Sequence, residues 1–118
     1  MNIYKEKDYY ILEIIYKRKK IKVKLSDLNK VIDFKWYVII KKGKNKSYYY
    51  IHTKSNNKIL YLHHLIIGKK KGFVVDHINK DTLDNRKSNL RHVSRRQNLF
   101  NTDMPLFFTK SLMNKKRK

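Results

Sequence analysis

The stretch FVVDHINKDTLDNRKSNLRHVSRRQNLFN, residues 73–101, leaves little choice of local fold. FVVDHI is short and β-branched, which predicts a strand. NKDTLDNRKS is a polar loop. NLRHVS predicts a second strand, with Leu90 and Val93 as its apolar members. Ser94 with Gln97 three residues on forms a capping box, so a helix is expected from there through about Asn101. Pro105 bars a regular continuation. The order is strand, loop, strand, helix. A carboxylate and an imidazole, Asp76 and His77, stand together at the end of the first strand.

The residues before this stretch are read as strands with one short helix. In DYYILEIIYKRKKIKVK, residues 8–24, two strands flank a basic turn. Ile21, Val23 and Leu25 alternate with Lys20, Lys22 and Lys24, the period of a half-buried strand. Ser26 is an expected N-cap for a helix of about two turns over DLNKVIDF. KWYVIIKK and KSYYYIHTK are strands joined by KGKNK. SNN, residues 55–57, makes the next hairpin turn. KILYLHHLIIG runs as a strand into a short helix ending at Gly68. The fold class expected is α+β: an N-terminal antiparallel β module with a short helix, over residues 1–68, then the strand–loop–strand–helix unit over 69–104, then a basic tail over 105–118.

Charge decides the class of partner. The 118 residues carry 30 Lys and Arg against 9 Asp and Glu, a formal net charge of +21. Such an excess points to a polyanion, and to nucleic acid before a membrane surface. No apolar run approaches the roughly 20 residues of a membrane span, and the N-terminus lacks the apolar core of a signal peptide. The absence of cysteine excludes disulfides and Cys-ligated zinc. An intracellular protein is expected. The bias toward Lys, Asn, Ile and Tyr fits an AT-rich genome, so single lysines are weak evidence of contacts.

Three residues bear on chemistry beside Asp76 and His77. Adjacent strand residues point to opposite faces, so Asp76 and His77 can serve one site only at the frayed end of the strand or across a kink. Asn98 and Asn101 share a helix face. Asn89 opens the second strand, where its amide can bridge the loop to the backbone near His77. Carboxylate and amide oxygens suit Mg²⁺, which needs only one or two protein groups besides water and substrate phosphate. A lone His beside an Asp is a poor zinc site. A cation, an imidazole base and a polyanion-binding surface together point to phosphodiester hydrolysis.

The pattern DH-x₃-D-x₂-DN-x₃-NLR-x₆-N-x₂-N resembles the HNH endonucleases of the ββα-metal fold, and the homing-type enzymes of phages and mobile introns in particular. YLHHLIIG looks like the segment that precedes the motif in that family, and DFKWYVII like the Trp-containing strand of its small β module. The resemblance spans residues 25–101. It implies His77 as general base, Asp76 as metal ligand, Asn89 as the central residue that holds the loop and orients the His, and Asn98 as second metal ligand, where many relatives carry His. The implied cofactor is Mg²⁺, with Mn²⁺ as the alternative and no zinc. The implied partner is double-stranded DNA, acted on by a monomer or a homodimer. Members of this kind commonly carry a further DNA-binding segment. TDMPLFFTKSLMNKKRK is too short for an independent helix-turn-helix, which makes a long target site doubtful.

Arg86, Arg91, Arg95 and Arg96 flank the motif. Planar guanidinium suits phosphate, and the first turn of a helix disfavours Arg95 and Arg96 unless a polyanion binds there. His64 stands where relatives tend to carry Arg and is a candidate phosphate contact. His63 is expected to pack against, or bond to, the active-site region. Asp81, Asp84 and Asn85 are expected to close the polar loop, and Asn101 to be structural. Trp36, Tyr37 and Tyr48–Tyr50 read as packing before they read as a base-stacking platform. Two further functions compete with a nuclease: a non-catalytic nucleic-acid-binding protein derived from one, and a basic structural protein, which leaves the motif unexplained.

Overall fold

Ile21, Val23 and Leu25 are buried while Lys20 and Lys22 face water, as their alternation predicts. They lie on β3 (Lys19–Leu25), paired antiparallel with β2 (Tyr9–Tyr16). The computed structural model describes residues 2–97. The turn between β2 and β3 places Lys17 and Arg18 at φ of 50° and 66°. Left-handed conformation costs such side chains about 1–2 kcal/mol each, offset here by the long pairing from Tyr10–Leu25 to Tyr16–Lys19. A further strand, β1 (Asn2–Glu6), adds to the outer edge of β2. Its sequence, NIYKE, has no apolar alternation to announce a strand.

The second sheet is a meander of β4 (Tyr37–Lys42), β5 (Ser47–Ser55) and β6 (Lys58–Tyr61). Its second turn uses Asn56 and Asn57 at φ of 52° and 63°, where short amide side chains tolerate the left-handed region. The expected hairpin at 55–57 is there. One face of this sheet, with Val38, Tyr49, Ile51 and Leu60, packs on the main core around Leu12, Val23, Leu25, Val31, Trp36 and Leu62. The other face carries a smaller cluster of Ile39, Tyr48, Tyr50 and Tyr61. Trp36 is core, and its indole N–H donates to the Val31 carbonyl at 2.8 Å.

The helix expected after Ser26 is not formed. Only a 3-10 turn, Val31–Asp33, follows, entered through Lys30 at φ 64°. Ser26 caps a different element: its Oγ accepts the backbone N–H of Lys87 at 2.7 Å. Asp27 accepts the N–H of Asn29 and pairs with Lys87 at 3.4 Å. These local and long-range bonds compete with helix formation. The helix expected next, α1 (Leu62–Ile67), does form, and it closes at Gly68, whose N–H donates to the His64 carbonyl at 2.9 Å.

Downstream, β7 (Phe73–His77) pairs antiparallel with β9 (Leu90–Ser94), Asp76 opposite Arg91 and His77 opposite Leu90. The loop between them contains a short strand, β8 (Asp84–Asn85), and a 3-10 turn, Lys87–Asn89. β8 runs parallel to the end of β3, Lys24 against Asp84 and Leu25 against Asn85. Thr82 Oγ also donates to the Tyr49 carbonyl. Backbone and side-chain bonds therefore cross residue 68 to both N-terminal sheets. Ser94 Oγ accepts the Gln97 N–H at 3.0 Å, the capping bond expected from the sequence, and residues 95–97 are helical. The rest of the expected helix lies outside the described residues. The described chain is thus α+β, mostly strand with few short helices. None of its helices is long and apolar enough to cross a membrane.

Candidate active site

The end of β7 buries two ionisable groups side by side. His77 is 2% exposed and Asp76 4%. Alternation sends them to opposite sides of the strand, and they keep separate partners. His77 Nε2 lies 2.8 Å from Asn85 Oδ1. An amide oxygen only accepts, so Nε2 carries the hydrogen and Nδ1 is left as the lone-pair nitrogen. Rings close around His77: His63 at 5.4 Å between centroids and Tyr50 at 6.3 Å, both edge-to-face. Burial pushes the His77 pKa down. The bond to Asn85 and the carboxylates of Asp76, Asp81 and Asp84 push the other way without restoring it. His77 is therefore a neutral imidazole at pH 7, the state a proton acceptor needs.

Asp76 Oδ2 accepts from Arg91 Nε at 2.9 Å, and Lys80 Nζ lies 3.9 Å from Oδ1. Arg91, expected at phosphate, is thus the cross-strand partner of the carboxylate. Arg86, also expected at phosphate, grips Asp84 with two donors, at 2.9 and 2.8 Å. Burial raises the Asp84 pKa, but the bonds and charge of Arg86 outweigh it and hold the carboxyl below its ordinary range. Arg95 and Arg96 are exposed at the start of the helix. Asn98 and Asn101 lie outside the described residues.

The loop is organised by amides. Asn89 is 6% exposed. Its Nδ2 donates to the Asp84 carbonyl at 2.8 Å and to Asn79 Oδ1 at 2.9 Å, and its Oδ1 accepts the Asn79 N–H at 3.0 Å. Its own carbonyl accepts the Ile78 N–H at 2.8 Å. These bonds tie Asn89 to both sides of the loop. Contact with His77 comes instead from Asn85, which the sequence reading gave only a turn-closing part. The spacing of Asn85, eight residues after His77, was legible. What could not be seen was that pairing of β8 with β3 turns its side chain inward.

His63 is 3% exposed, stacked on Tyr61 at 5.5 Å and edge-to-face on His77. Burial, then His64 and His77, drive its pKa well down. His64 is lowered to about 4 by burial, with Lys69 and His92 adding to it. It is neutral at pH 7, so any phosphate contact it makes is a hydrogen bond and not an ion pair.

Among the described residues, no three His, Cys, Asp or Glu side chains gather as a metal cluster. That fits no all-protein cage. A hard cation that takes one carboxylate, keeps several waters and draws further oxygens from substrate would have Asp76 there, whose oxygens face Arg91 and Lys80.

A small α+β unit that buries a neutral imidazole beside a carboxylate, within a chain of charge +21, has the makings of a nuclease. Residues 60–99 match the family model for HNH endonucleases, which supports the resemblance read from the DH, NLR and Asn98 spacing. The match suggests nuclease-type function and implies a nucleic-acid substrate. No curated protein matches the chain, and no solved structure matches it.

Proposed function

We propose that the chain is a divalent-metal-dependent DNA endonuclease that hydrolyses phosphodiester bonds, with His77 as general base. The observation that carries this reading is the state of His77: buried, neutral, and fixed through Nε2–H to Asn85. Nδ1 then takes the proton from water as it attacks phosphorus. His63 and Tyr50 limit rotation of the ring and shield it from bulk solvent. Asp76 and Asn98 would hold the ion, Mg²⁺ or Mn²⁺, which when bound stabilises charge growing on the leaving oxygen. Arg91 sets the orientation of the Asp76 carboxylate by taking Oδ2. The substrate we assign is duplex DNA, held by the lysine-rich surface, whose affinity is non-specific and salt-sensitive.

Plasmid cleavage by the wild type and by His77→Ala, with Mg²⁺ and with EDTA, tests this. Nicking or linearisation that needs Mg²⁺ and disappears in His77→Ala is the expected result. The nicked-to-linear ratio then reports whether one site or two act together. One observation favours a second reading: Arg91 already occupies the Asp76 carboxylate, as it would in a DNA-binding protein that has lost turnover. DNA binding without cleavage in any divalent ion would select that reading.

A further inference from the structure

The outer face of the β4–β5–β6 sheet has a feature that cleavage chemistry does not use. Tyr37, His52 and Tyr61 are register partners across the three strands. Their rings form a row, with centroids 6.3 Å apart at each step. The row continues through His63 to His77 at 5.5 and 5.4 Å. At its far end Tyr37 is 49% exposed, a large aromatic face left to water. Lys35 Nζ lies 5.9 Å from that ring. Beside it opens a cleft of about 530 Å³, lined by Asp33, Phe34, Lys35, Tyr37, His52 and Lys54, together with Thr53. That volume is within the roughly 300–1,000 Å³ of small-ligand sites.

Asp33, Lys35 and Lys54 form no ion pair among the described residues. His52 Nδ1 is buried without a hydrogen-bond partner there, and burial, with Lys41 and Lys54, keeps its ring neutral. A plain phosphate track would not include a carboxylate. A nucleotide site would: the carboxylate accepts from base N–H groups, an aromatic face stacks the base, and lysines meet the phosphates on either side.

We infer that this cleft binds one unpaired nucleotide of a DNA strand, with the base stacked on Tyr37, its N–H edge toward Asp33, and the flanking phosphates at Lys35 and Lys54. A paired base offers neither of its faces, so the site distinguishes single-stranded or locally opened DNA from intact duplex. The inference rests on the nucleic-acid substrate proposed above but not on cleavage. It goes beyond that reading by giving the β module a ligand of its own.

The test is equilibrium binding of a short fluorescent single-stranded oligodeoxynucleotide, and of the same sequence as duplex, in EDTA and on a His77→Ala background. Stacking one base contributes about 1–3 kcal/mol, so Tyr37→Ala should weaken single-strand binding by about 5- to 150-fold. Duplex binding should stay unchanged, and Tyr37→Phe should retain most of the single-strand affinity. Ile15→Ala, at an exposed residue of the other sheet, is the control, and thermal melts confirm that each variant is folded. Equal affinities for Tyr37→Ala and the control would overturn the inference. So would equal losses on single strand and duplex, which would mean a generic backbone contact. If neither DNA binds at all, the nuclease reading falls with it, whereas binding that ignores Tyr37 removes this inference alone.

Discussion

Removing each of two loop amides should separate holding the loop from orienting the base. Asn89→Ala deletes three side-chain hydrogen bonds. The two to Asn79 end on an exposed residue that water can satisfy, at about 0.5–1 kcal/mol each. The third leaves the carbonyl of buried Asp84 without its donor, a further cost of about 1–3 kcal/mol. The total is about 2–5 kcal/mol, or a fall in melting temperature of about 10–25 °C for a domain of this size. Asn85→Ala also destabilises, since Asn85 is buried. Its larger effect should be on rate. Without Asn85 Oδ1 nothing favours Nε2–H, and the imidazole spends time with its hydrogen on Nδ1, where it cannot accept a proton. Plasmid nicking, measured well below both melting points, should drop about tenfold to a hundredfold in Asn85→Ala and less in Asn89→Ala. An Asn89→Ala protein that melts like the wild type, or an Asn85→Ala protein that cleaves at the wild-type rate, would refute this division.

His77→Ala should abolish nicking while leaving duplex affinity within about twofold, measured by gel shift; a parallel loss of binding would mean the substitution acts on the fold. Duplex affinity should fall steeply with salt, as charge neutralisation by lysine requires, and a flat log–log plot would remove the basic surface from the contact. Acid should destabilise the protein in a set order. His63, His64 and His77 have pKa values lowered from the ordinary 6.5, His64 to about 4. The unfolded chain binds their protons first, so stability is full above pH 6.5 and declines as pH falls toward 4. Asp84, held below its ordinary 3.8, adds its loss only further down. Melting temperatures that stay level from pH 7 to pH 5 would contradict the buried neutral histidines.

The strands were legible where apolar residues alternate, as on β3, and where turn residues have one job, as at Asn56–Asn57. The hairpin of β7 and β9 was legible because two short apolar runs flank a loop too polar to be anything else. Failures came where a residue has a distant partner. Ser26 looks like a helix cap because its local neighbours suit one, yet its hydroxyl serves Lys87 across the fold. β8 was hidden because Asp84 and Asn85 have low strand propensity, and backbone pairing with β3 supplies what propensity does not. Asp76 and His77 stand out as candidates by residue type and spacing. Their partners do not, since Arg91 reads as a DNA contact until the register sets it opposite Asp76, and Asn85 reads as a turn residue until β8 is seen.

That hidden strand explains why the N-terminal sheets matter to the site. Within residues 78–89 the apolar side chains are Ile78, which is largely exposed, and Leu83, which is half-buried against the main core. A loop with so little apolar surface cannot fix its own shape by burial. It is fixed by the amide–carboxylate network of Asn79, Asp84, Asn85 and Asn89, and such networks hold only when every buried member is satisfied. Three ties complete the set from outside the loop: Lys24 N–H to the Leu83 carbonyl at 2.9 Å, Lys87 N–H to Ser26 Oγ, and Thr82 to the Tyr49 carbonyl. The first two come from the end of β3 and the residue after it, the third from β5. The ring packed on His77 from the sheet, Tyr50, comes from β5 as well. Orientation of the proposed base is therefore set by residues on both sides of residue 68, and the isolated hairpin would lose Tyr50 and all three ties together. The β module thus acts first as the mould of the loop that holds the proposed base.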